Sequence, residues 1–328
     1  MAQALAFSRR VSEAIETYKR VIKILEVNSN GEGEEVIMPL CEMGNLLLKE
    51  GKTSEAEFAF SRVIDIFVRL YGERDGRVGM AMCSLAQVKC AKGKVNEAID
   101  LYKTAVEILS VSMALDDEVV MEKVRTELAE LLHIAGRAEE GRAVVEESLF
   151  LIEKAKGKGH PSMVPQLVNL ASSHSRSKNY GESERLLRLG LEILVKDDDD
   201  PSVTFVMLDL AVNLYHLQRY EEAEEVTLKV VRMREKAFGG ESAPVGEALD
   251  CLVCIWRKVG KDGSEVLEVV RRVLRIEEKY FGSESVEVME TLKKMVFLAD
   301  KMGLKNEKFG LRRRLLMLAQ KRRQALSD

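Results

Sequence analysis

The sequence is poor in the residues that interrupt helices or build β-sheets. Its 328 residues include 5 prolines, 1 tryptophan and only 5% aromatic residues. Few prolines leave long helices uninterrupted, and few aromatic residues disfavour a protein built from strands. The longest apolar runs fall well short of the roughly 18 residues that a membrane-spanning helix needs. The composition therefore predicts an all-helical protein that does not insert into a membrane.

An excess of positive charge is also missing. Lysine and arginine total 50 and aspartate and glutamate total 54, so the formal net charge is −4. A protein that binds nucleic acid through its overall field carries the opposite sign. Hydrophobic residues make up 46% of the chain, which is too apolar for a disordered protein. These values predict a folded chain without a nucleic-acid partner.

Cysteines are few and odd in number. The five are Cys41, Cys83, Cys90, Cys251 and Cys254. All of them fall among apolar residues of predicted helices, which is typical of small packing residues in a reducing compartment and not of a disulfide framework. The single Cys-x-x-Cys has no second ligand pair nearby, so it does not predict a structural zinc site.

Catalytic motifs are missing as well. The four histidines lie in different parts of the chain, and no nucleophile elbow, phosphate-binding glycine loop or metalloprotease motif accompanies them. The four aspartates at 197–200 lack the alternating ligands and central glycine of a calcium loop. We therefore predict no enzyme activity, no cofactor and no metal.

The sequence does contain small residues at a fixed spacing, in two sets. One set comprises Ala14, Ala56, Ala98, Gly141, Ser183 and Ala223. The other set, twelve residues earlier in each case, comprises Ala2, Gly44, Ala86, Ala129, Ala171 and Ala211. Separations within the first set are 42, 42, 43, 42 and 40 residues. Such a period is typical of a solenoid, in which each repeat buries its apolar face against its neighbours.

Apolar residues at helical spacing predict two helices in each repeat. The predicted first helices are 34–50, 76–92, 116–135, 161–178, 201–218, 244–259 and 284–302. The predicted second helices are 8–28, 53–71, 95–113, 138–156, 181–196, 221–238, 262–281 and 305–326. This arrangement is seven pairs and one unpaired second helix at the start. If Ala2 is the small residue of a first helix, that helix has lost its opening turns. We therefore expect a fragment from which a targeting sequence or another region has been removed.

Glycine, or a substitute for it, stands at the turn within each predicted pair. Five of the seven turns carry glycine, and Asn179 and Arg219 stand in the other two. Glycine and asparagine accept the left-handed conformation that ends a helix. We therefore expect Asn179 to adopt that conformation, and Arg219 to be strained or to form a different turn.

Several segments resemble a known family. They are His-Pro at 160–161, Leu-Val-Asn-Leu-Ala at 167–171, Tyr-Gly-Glu-Ser-Glu at 180–184, Leu-Glu-Ile at 191–193, Tyr-Glu-Glu-Ala-Glu at 220–224 and Gly-Gly-Glu-Ser at 239–242. They resemble tetratricopeptide repeats, and the period of about 42 resembles that of kinesin light chains and nephrocystin-type proteins. Asn169 matches one asparagine of the light-chain motif, whereas Val168 stands at the other. The resemblance implies an all-α, right-handed superhelical solenoid of antiparallel helix pairs with about 7.5 repeats.

One solenoid is expected to span residues 1–328. It would consist of a partial first repeat at 1–30, the repeat array at 31–303 and a basic capping helix at 304–328. The resemblance implies that the first helices line a concave groove in which a protein or peptide partner binds. The predicted groove residues are Met38, Cys41, Asn45, Met80, Cys83, Gln87, Lys123, Thr126, Glu130, Pro165, Val168, Asn169, Ser172, Phe205, Leu208 and Val212. Methionines beside amides and hydroxyls suit an extended or helical peptide.

The predicted function is thus a non-enzymatic interaction scaffold or adaptor. The alternatives are an assembly or regulatory factor with partners on its convex face or ends, and a self-associating structural module. Cys41, Asn45 and Cys83 stand where a carboxylate clamp for chaperone C-termini would need other residues, so that ligand is disfavoured. A monomer is favoured. An intracellular, reducing compartment is expected, either the cytoplasm or, after removal of an N-terminal targeting segment, an organelle interior.

Overall fold

A computed structural model of the chain describes residues 11–29, 33–112, 118–194 and 200–325. These residues form fifteen α-helices and contain no strand, so the predicted all-α class is confirmed. The chain divides into two compact units, Met1–Leu151 and Ile152–Asp328, which we call unit 1 and unit 2. None of the helices, within the described ranges, is long and apolar enough to cross a bilayer.

Unit 1 consists of helices joined by short turns. They are α1 Val11–Ser29, α2 Ile37–Lys49, α3 Thr53–Tyr71, α4 Gly76–Ala91, α5 Val95–Ser112, α6 Glu118–Ile134 and α7 Ala138–Lys156, whose last residues belong to unit 2. α2, α4 and α6 are first helices of their repeats, whereas α1, α3, α5 and α7 are second helices. α2 follows a 3₁₀ turn over Glu34–Val36, which the sequence assigned to the helix itself.

Unit 2 continues the same alternation. Its helices are α8 Val164–Arg176, α9 Tyr180–Leu194, α10 Val203–His216, α11 Tyr220–Phe238, α12 Ala243–Val259, α13 Gly263–Phe281, α14 Val286–Lys301 and α15 Lys305–Ala325. Even-numbered helices from α8 to α14 are first helices. A 3₁₀ turn over Pro161–Met163 precedes α8, and the ring Nδ1 of His160 caps it by accepting the Ser162 N–H at 3.2 Å.

The predicted helix boundaries agree with the observed ones to within three residues at each end that the structure describes. Predicted positions 8–10, 113, 116–117, 195–196 and 326 lie outside the described residues, as do Ala2 and the aspartates at 197–199.

The small residues lie where paired helices cross. Ala56, Ala86, Ala98, Ala171, Ala211 and Ala223 all have no exposed surface. Gly44 gives the clearest reason: a Cβ built on it would lie 2.8 Å from the ring of Phe60 on α3. Helices can approach this closely only when one of them contributes almost no side chain at the crossing.

Two turns differ from the sequence prediction. The left-handed residues are Lys178, with φ of 61°, and Gln218, with φ of 63°, and not Asn179 and Arg219. Both stand seven residues after the small residue of their first helix, as Gly51, Gly93 and the other turn glycines do. Position in the repeat therefore decides which residue takes the left-handed conformation. Arg219, expected to be strained or to form a different turn, has φ of −88° and pairs with Glu184.

Charged pairs connect successive second helices. Arg62 on α3 donates to Glu26 on α1 at 2.6 Å, and Arg272 on α13 donates to Glu235 on α11 at the same distance. The two residues of each pair are 36 or 37 positions apart in the sequence. This separation is one to two helical turns shorter than a full repeat. Because these side chains are partly exposed, each pair contributes only about 0–1 kcal/mol.

Candidate functional site

A polar pocket lies among the first helices of unit 2. It has a volume of about 210 Å³ and forms where α8, α9 and α10 meet. Its lining residues are Ser172, Ser175 and Arg176 from α8, Ser183 and Leu187 from α9, and Asp209, Val212 and Asn213 from α10. Ser172 and Val212 belong to the predicted groove set. We call this site the Ser183–Asn213 pocket.

Two buried polar atoms line the pocket without a hydrogen-bond partner among the described residues. Ser183 is 1% exposed and Asn213 is 3% exposed, yet Ser183 Oγ and Asn213 Oδ1 are both unpaired. Burying such atoms unpaired costs about 1–3 kcal/mol each. Ordered water, an ion or a ligand group can complete the hydrogen bonds of such atoms.

The orientation of the Asn213 amide is determined by its other hydrogen bond. Its Nδ2 donates to the backbone carbonyl of Asp209 at 2.8 Å. A flipped amide would place two oxygens against each other, so the free atom is the acceptor Oδ1. The pocket thus offers an acceptor at Asn213, a hydroxyl that both donates and accepts at Ser183, and a carboxylate at its Asp209 rim. These acceptors are suited to a group that carries N–H donors, and Arg176 is the one cation among the described lining residues.

The predicted groove residues of unit 2 lie on the same side of the first helices. Phe205 is 52% exposed and Val212 is 38% exposed, whereas Leu208 is 7% exposed and supports the surface from beneath. Val168, Asn169 and Ser172 are half-buried, and Pro165 is exposed.

Phe205 is held in place by a buried arginine. Arg234 has no exposed surface, its guanidinium lies 4.8 Å from the Phe205 ring, and its Nη1 donates to Glu247 Oε2 at 2.8 Å. The Arg234 Nε also donates to Thr204 Oγ1 at 3.1 Å. Since Arg234 lies on a second helix, the sequence prediction, which considered first helices, did not include it.

In unit 1 the predicted groove residues stand at matching repeat positions of the first helices, and we call them the unit 1 row. Met38 is 66% exposed and Met80 is 41% exposed, whereas Cys83 is 7% exposed and packs into the core. Asn45, Lys123 and Glu130 are exposed, and Cys41 and Thr126 are half-buried. The row therefore consists of exposed methionines flanked by polar side chains.

A hydrogen-bonded cluster on α6 joins this row. Glu127 accepts from the Tyr102 hydroxyl at 2.6 Å and from Gln87 Nε2 at 3.5 Å. Burial and the neighbouring Glu127 carboxylate raise the pKa of Tyr102 well above its usual range. Gln87, a predicted groove residue, is thus positioned by a carboxylate that sequence reasoning missed.

The thiols have the electrostatics of packing residues. Burial raises the pKa of Cys41 to about 11 and that of Cys83 and Cys251 to about 12. A reactive thiol needs the opposite shift, which a helix N-terminus or a nearby cation produces. Among the described residues no cluster of three or more metal-ligating side chains occurs.

Sequence reasoning missed Ser183 and Asn213 as site residues. Ser183 had been assigned only a packing role, as one of the small residues. Two signals could have identified them: a hydroxyl at a position where the other repeats have alanine or glycine, and an amide within the otherwise apolar α10. Their proximity could not be read from the sequence, because they belong to neighbouring repeats.

The alternating first and second helices, crossing at small residues, define a helical-repeat protein. Two family models described as tetratricopeptide repeat match residues 35–110 and 206–243, one in each unit. These two segments are tetratricopeptide repeats, as the sequence predicted. The chain's spacing of 40 to 43 residues is the long spacing by which it resembles kinesin light chains.

Solved structures share this fold. PH0952 from Pyrococcus horikoshii, a signal transduction ATPase with a tetratricopeptide repeat sensor, matches 98% of this chain at 14% identity with a TM-score of 0.66. That match covers 46% of PH0952, so this chain spans about half of its length. The quorum sensor NprR from B. thuringiensis in its apo form matches 97% of this chain and 85% of its own, at 12% identity with a TM-score of 0.60.

The apo form of RapI matches 88% of this chain and 99% of its own, at 13% identity with a TM-score of 0.56. At these identities the likeness establishes the fold. No curated protein matches the chain. The repeat architecture is that of a protein-interaction scaffold.

Proposed function

We propose that this chain binds a partner peptide on the first-helix surface of unit 2 and performs no catalysis. The observation that carries the proposal is the Ser183–Asn213 pocket, in which two unpaired polar atoms are buried on that surface. The pocket holds about 210 Å³, which is less than the 300–1,000 Å³ typical of small-molecule sites and suits one side chain of a longer partner.

The chemistry of the pocket favours a partner side chain that donates N–H groups. A side-chain amide or an ammonium group would donate to Asn213 Oδ1 and to the Asp209 carboxylate. Val212, which lines the pocket, and Phe205, seven residues earlier on α10, would contact apolar parts of the same segment, since both are exposed. A preformed surface of this kind reduces the ordering cost of holding an extended peptide.

Absence of catalysis is proposed because the candidate nucleophiles and bases have other roles. The buried thiols have raised pKa values, and His160 caps a turn. His216 stacks on Tyr180 with ring centroids 4.5 Å apart. None of these groups is arranged as a nucleophile beside a base.

The test is a selection of peptides from a displayed random library on the immobilised chain. Selected peptides are then synthesised and their affinities measured by fluorescence anisotropy for the parent, Ser183→Ala and Val212→Arg. Lys229→Ala, on the exposed side of α11, is the control. We expect both pocket variants to bind about tenfold more weakly or worse, and the control to match the parent.

Melting curves accompany each variant, so that a loss of binding is not confused with unfolding. Equal affinity of the parent and both pocket variants would move the binding site to another surface. A selection that yields no peptide for the parent would count against peptide binding itself.

A further inference from the structure

A second, larger pocket in unit 2 is lined by positive charge. It lies at the C-terminal ends of the first helices α10, α12 and α14 and has a volume of about 540 Å³. Arg257, Lys258, Lys261 and Lys301 line it, and none of its described lining residues is acidic. We call it the basic pocket. It shares no lining residue with the Ser183–Asn213 pocket.

Three of the four cations have no carboxylate partner among the described residues. Lys261 pairs with Glu224 at 3.1 Å, whereas no ion pair forms at Arg257, Lys258 or Lys301. Cations in the last turn of a helix are ordinary, because they offset the negative end of the helix dipole. The ends of α12 and α14 and the turn after α12 bring four cations to one concavity, in a chain of net charge −4. They form a local positive site against the sign of the whole molecule.

An exposed aromatic ring orders two of these cations. The Arg257 guanidinium lies 4.9 Å from the centroid of the Phe297 ring, and Lys301 Nζ lies 5.3 Å from it. Such cation–π contacts hold long side chains in place at modest cost. The Phe297 ring therefore fixes the positions of the Arg257 and Lys301 charges. Phe297 is 45% exposed and adds apolar surface beside them.

We propose that the basic pocket binds an acidic peptide segment, whose carboxylates pair with Arg257, Lys258 and Lys301. The proposal rests on the proposed function in one respect: the same partner segment, lying on the first helices, would reach both pockets. Its chemistry is separate, because the basic pocket needs carboxylates and the Ser183–Asn213 pocket needs N–H donors.

A peptide is favoured over a nucleic acid because the Phe297 ring is already in contact with two cations. Single-stranded nucleic acids are held by stacking bases on aromatic faces beside a basic track. Here the two cations already lie over the Phe297 ring. The charge also fills a concavity within the 300–1,000 Å³ range of ligand pockets instead of following a long track.

The test compares the parent with a triple variant, Arg257→Gln, Lys258→Gln and Lys301→Gln. A matched triple variant, Lys229→Gln, Arg232→Gln and Arg275→Gln, removes the same charge from exposed positions of the second helices α11 and α13. The probe is a short fluorescein-labelled peptide of alternating glutamate and leucine. A peptide with glutamine for each glutamate, and a labelled oligothymidylate, are measured alongside.

We expect the acidic peptide to bind the parent and the matched variant equally and the pocket variant about tenfold more weakly or worse. Binding to the parent should weaken as sodium chloride is raised, since exposed charges are screened. Lys258→Glu changes a single side chain that has no aromatic contact, and it should also weaken binding of the acidic peptide. This single variant keeps the test valid if the triple variant misfolds.

Several results would overturn the proposal. They are equal binding by all variants, equal binding of the glutamine peptide, no binding of the acidic peptide to the parent, and tighter binding of oligothymidylate. The peptides selected for the first-helix surface separate the two proposals. If they bind through Ser183 and ignore the basic pocket, the proposed function stands and this inference fails. If no peptide binds that surface, both fail.

Discussion

At the scale of single residues, one repeat differs from the others in a way that packing does not require. Ser183 occupies the position held by Ala56, Ala98 and Ala223, and its surroundings bury it as completely. Alanine fits that position without a hydroxyl to satisfy. The serine is therefore a stability cost at a site where the first-helix surface has a pocket.

A stability measurement follows from this comparison. We expect Ser183→Ala to raise the free energy of unfolding by about 0.5–1 kcal/mol, because it removes an unpaired buried hydroxyl. Urea unfolding followed by circular dichroism measures the change. The reverse exchange in the next repeat, Ala223→Ser, should lower stability. A destabilised Ser183→Ala would mean that the hydroxyl has a partner within the fold.

The left-handed turn residues give a second prediction at this scale. Lys178 and Gln218 adopt positive φ, which costs a residue with a Cβ about 1–2 kcal/mol. Replacing either residue with glycine removes this conformational cost, but glycine also has more freedom in the unfolded chain, which offsets part of the stabilisation. Lys178→Gly and Gln218→Gly should therefore each stabilise the protein by about 0.5–1 kcal/mol. Lys229→Gly, inside α11, is the control and should destabilise by about 1 kcal/mol. A lower melting temperature for both glycine variants would contradict the assignment of Lys178 and Gln218 to the left-handed conformation.

At the scale of helices, the crossings between paired helices determine stability. Ala171 on α8 and Ala223 on α11 have no exposed surface. Replacing either with phenylalanine should destabilise by about 1–3 kcal/mol or more, because the helices would have to separate. Thermal melts monitor the effect, and Lys229→Phe, which places the same ring at an exposed position of α11, is the control. Melting temperatures equal to the parent's would show that the repeat alignment is wrong.

A charged cluster links a second helix to the first helix of the next repeat. Glu57 on α3 accepts from Lys89 on α4 at 2.7 Å and from Lys92, the residue that follows α4, at 2.5 Å. These lysines lower the pKa of Glu57 from its ordinary value of 4.5 to about 2. Since the pKa is lower in the folded state, the stabilisation is present above pH 4.5 and is lost as the pH falls towards 2.

Glu57→Gln tests this cluster. At pH 7 the variant should be less stable than the parent by about 1 kcal/mol, a value reduced for solvent screening. The difference should shrink between pH 4.5 and 2, where the parent carboxylate becomes protonated. Denaturant unfolding at several pH values measures it, and Glu50→Gln, exposed at the end of α2, is the control. A difference that does not change with pH would rule out an electrostatic origin.

At the scale of the whole molecule, the sequence predicted the repeats well because their signal is local. Small residues and apolar periodicity recur within each repeat, and they placed Thr53–Tyr71 and Ala138–Lys156 at their observed bounds. The left-handed residues were misassigned because asparagine's tolerance of that conformation was weighted above position in the repeat. Asn179 lies one residue beyond the position that Gly51 and Lys178 share.

The pockets could not be predicted in the same way. Ser183 and Asn213 lie on α9 and α10, and the cations of the basic pocket come from α12, α14 and the turn after α12. Their contacts depend on how side chains of successive repeats meet, which a period does not specify. Of the predicted groove residues, Ser172 and Val212 line the Ser183–Asn213 pocket, and whether a partner binds there stays a prediction.

Stacked repeats are stabilised by their neighbours, so protection should differ from helix to helix. α13 buries Val266, Leu267, Val270, Val273, Leu274 and Ile276. Among residues 305–322 of α15, whose side chains the structure describes, Leu318 is the only buried residue, and Phe309, Leu316 and Met317 are 72%, 65% and 51% exposed. We therefore expect amide hydrogens of α15 to exchange about tenfold faster than those of α13, or faster still, in a native-state exchange experiment read by mass spectrometry.

The same measurement tests whether α15 is covered in solution. Protection of α15 equal to that of α13 would contradict the prediction and would mean that another surface covers its exposed apolar residues. Repeating the exchange at lower protein concentration would then identify that surface. Protection that falls on dilution indicates a second copy of the chain, because only an intermolecular contact depends on concentration.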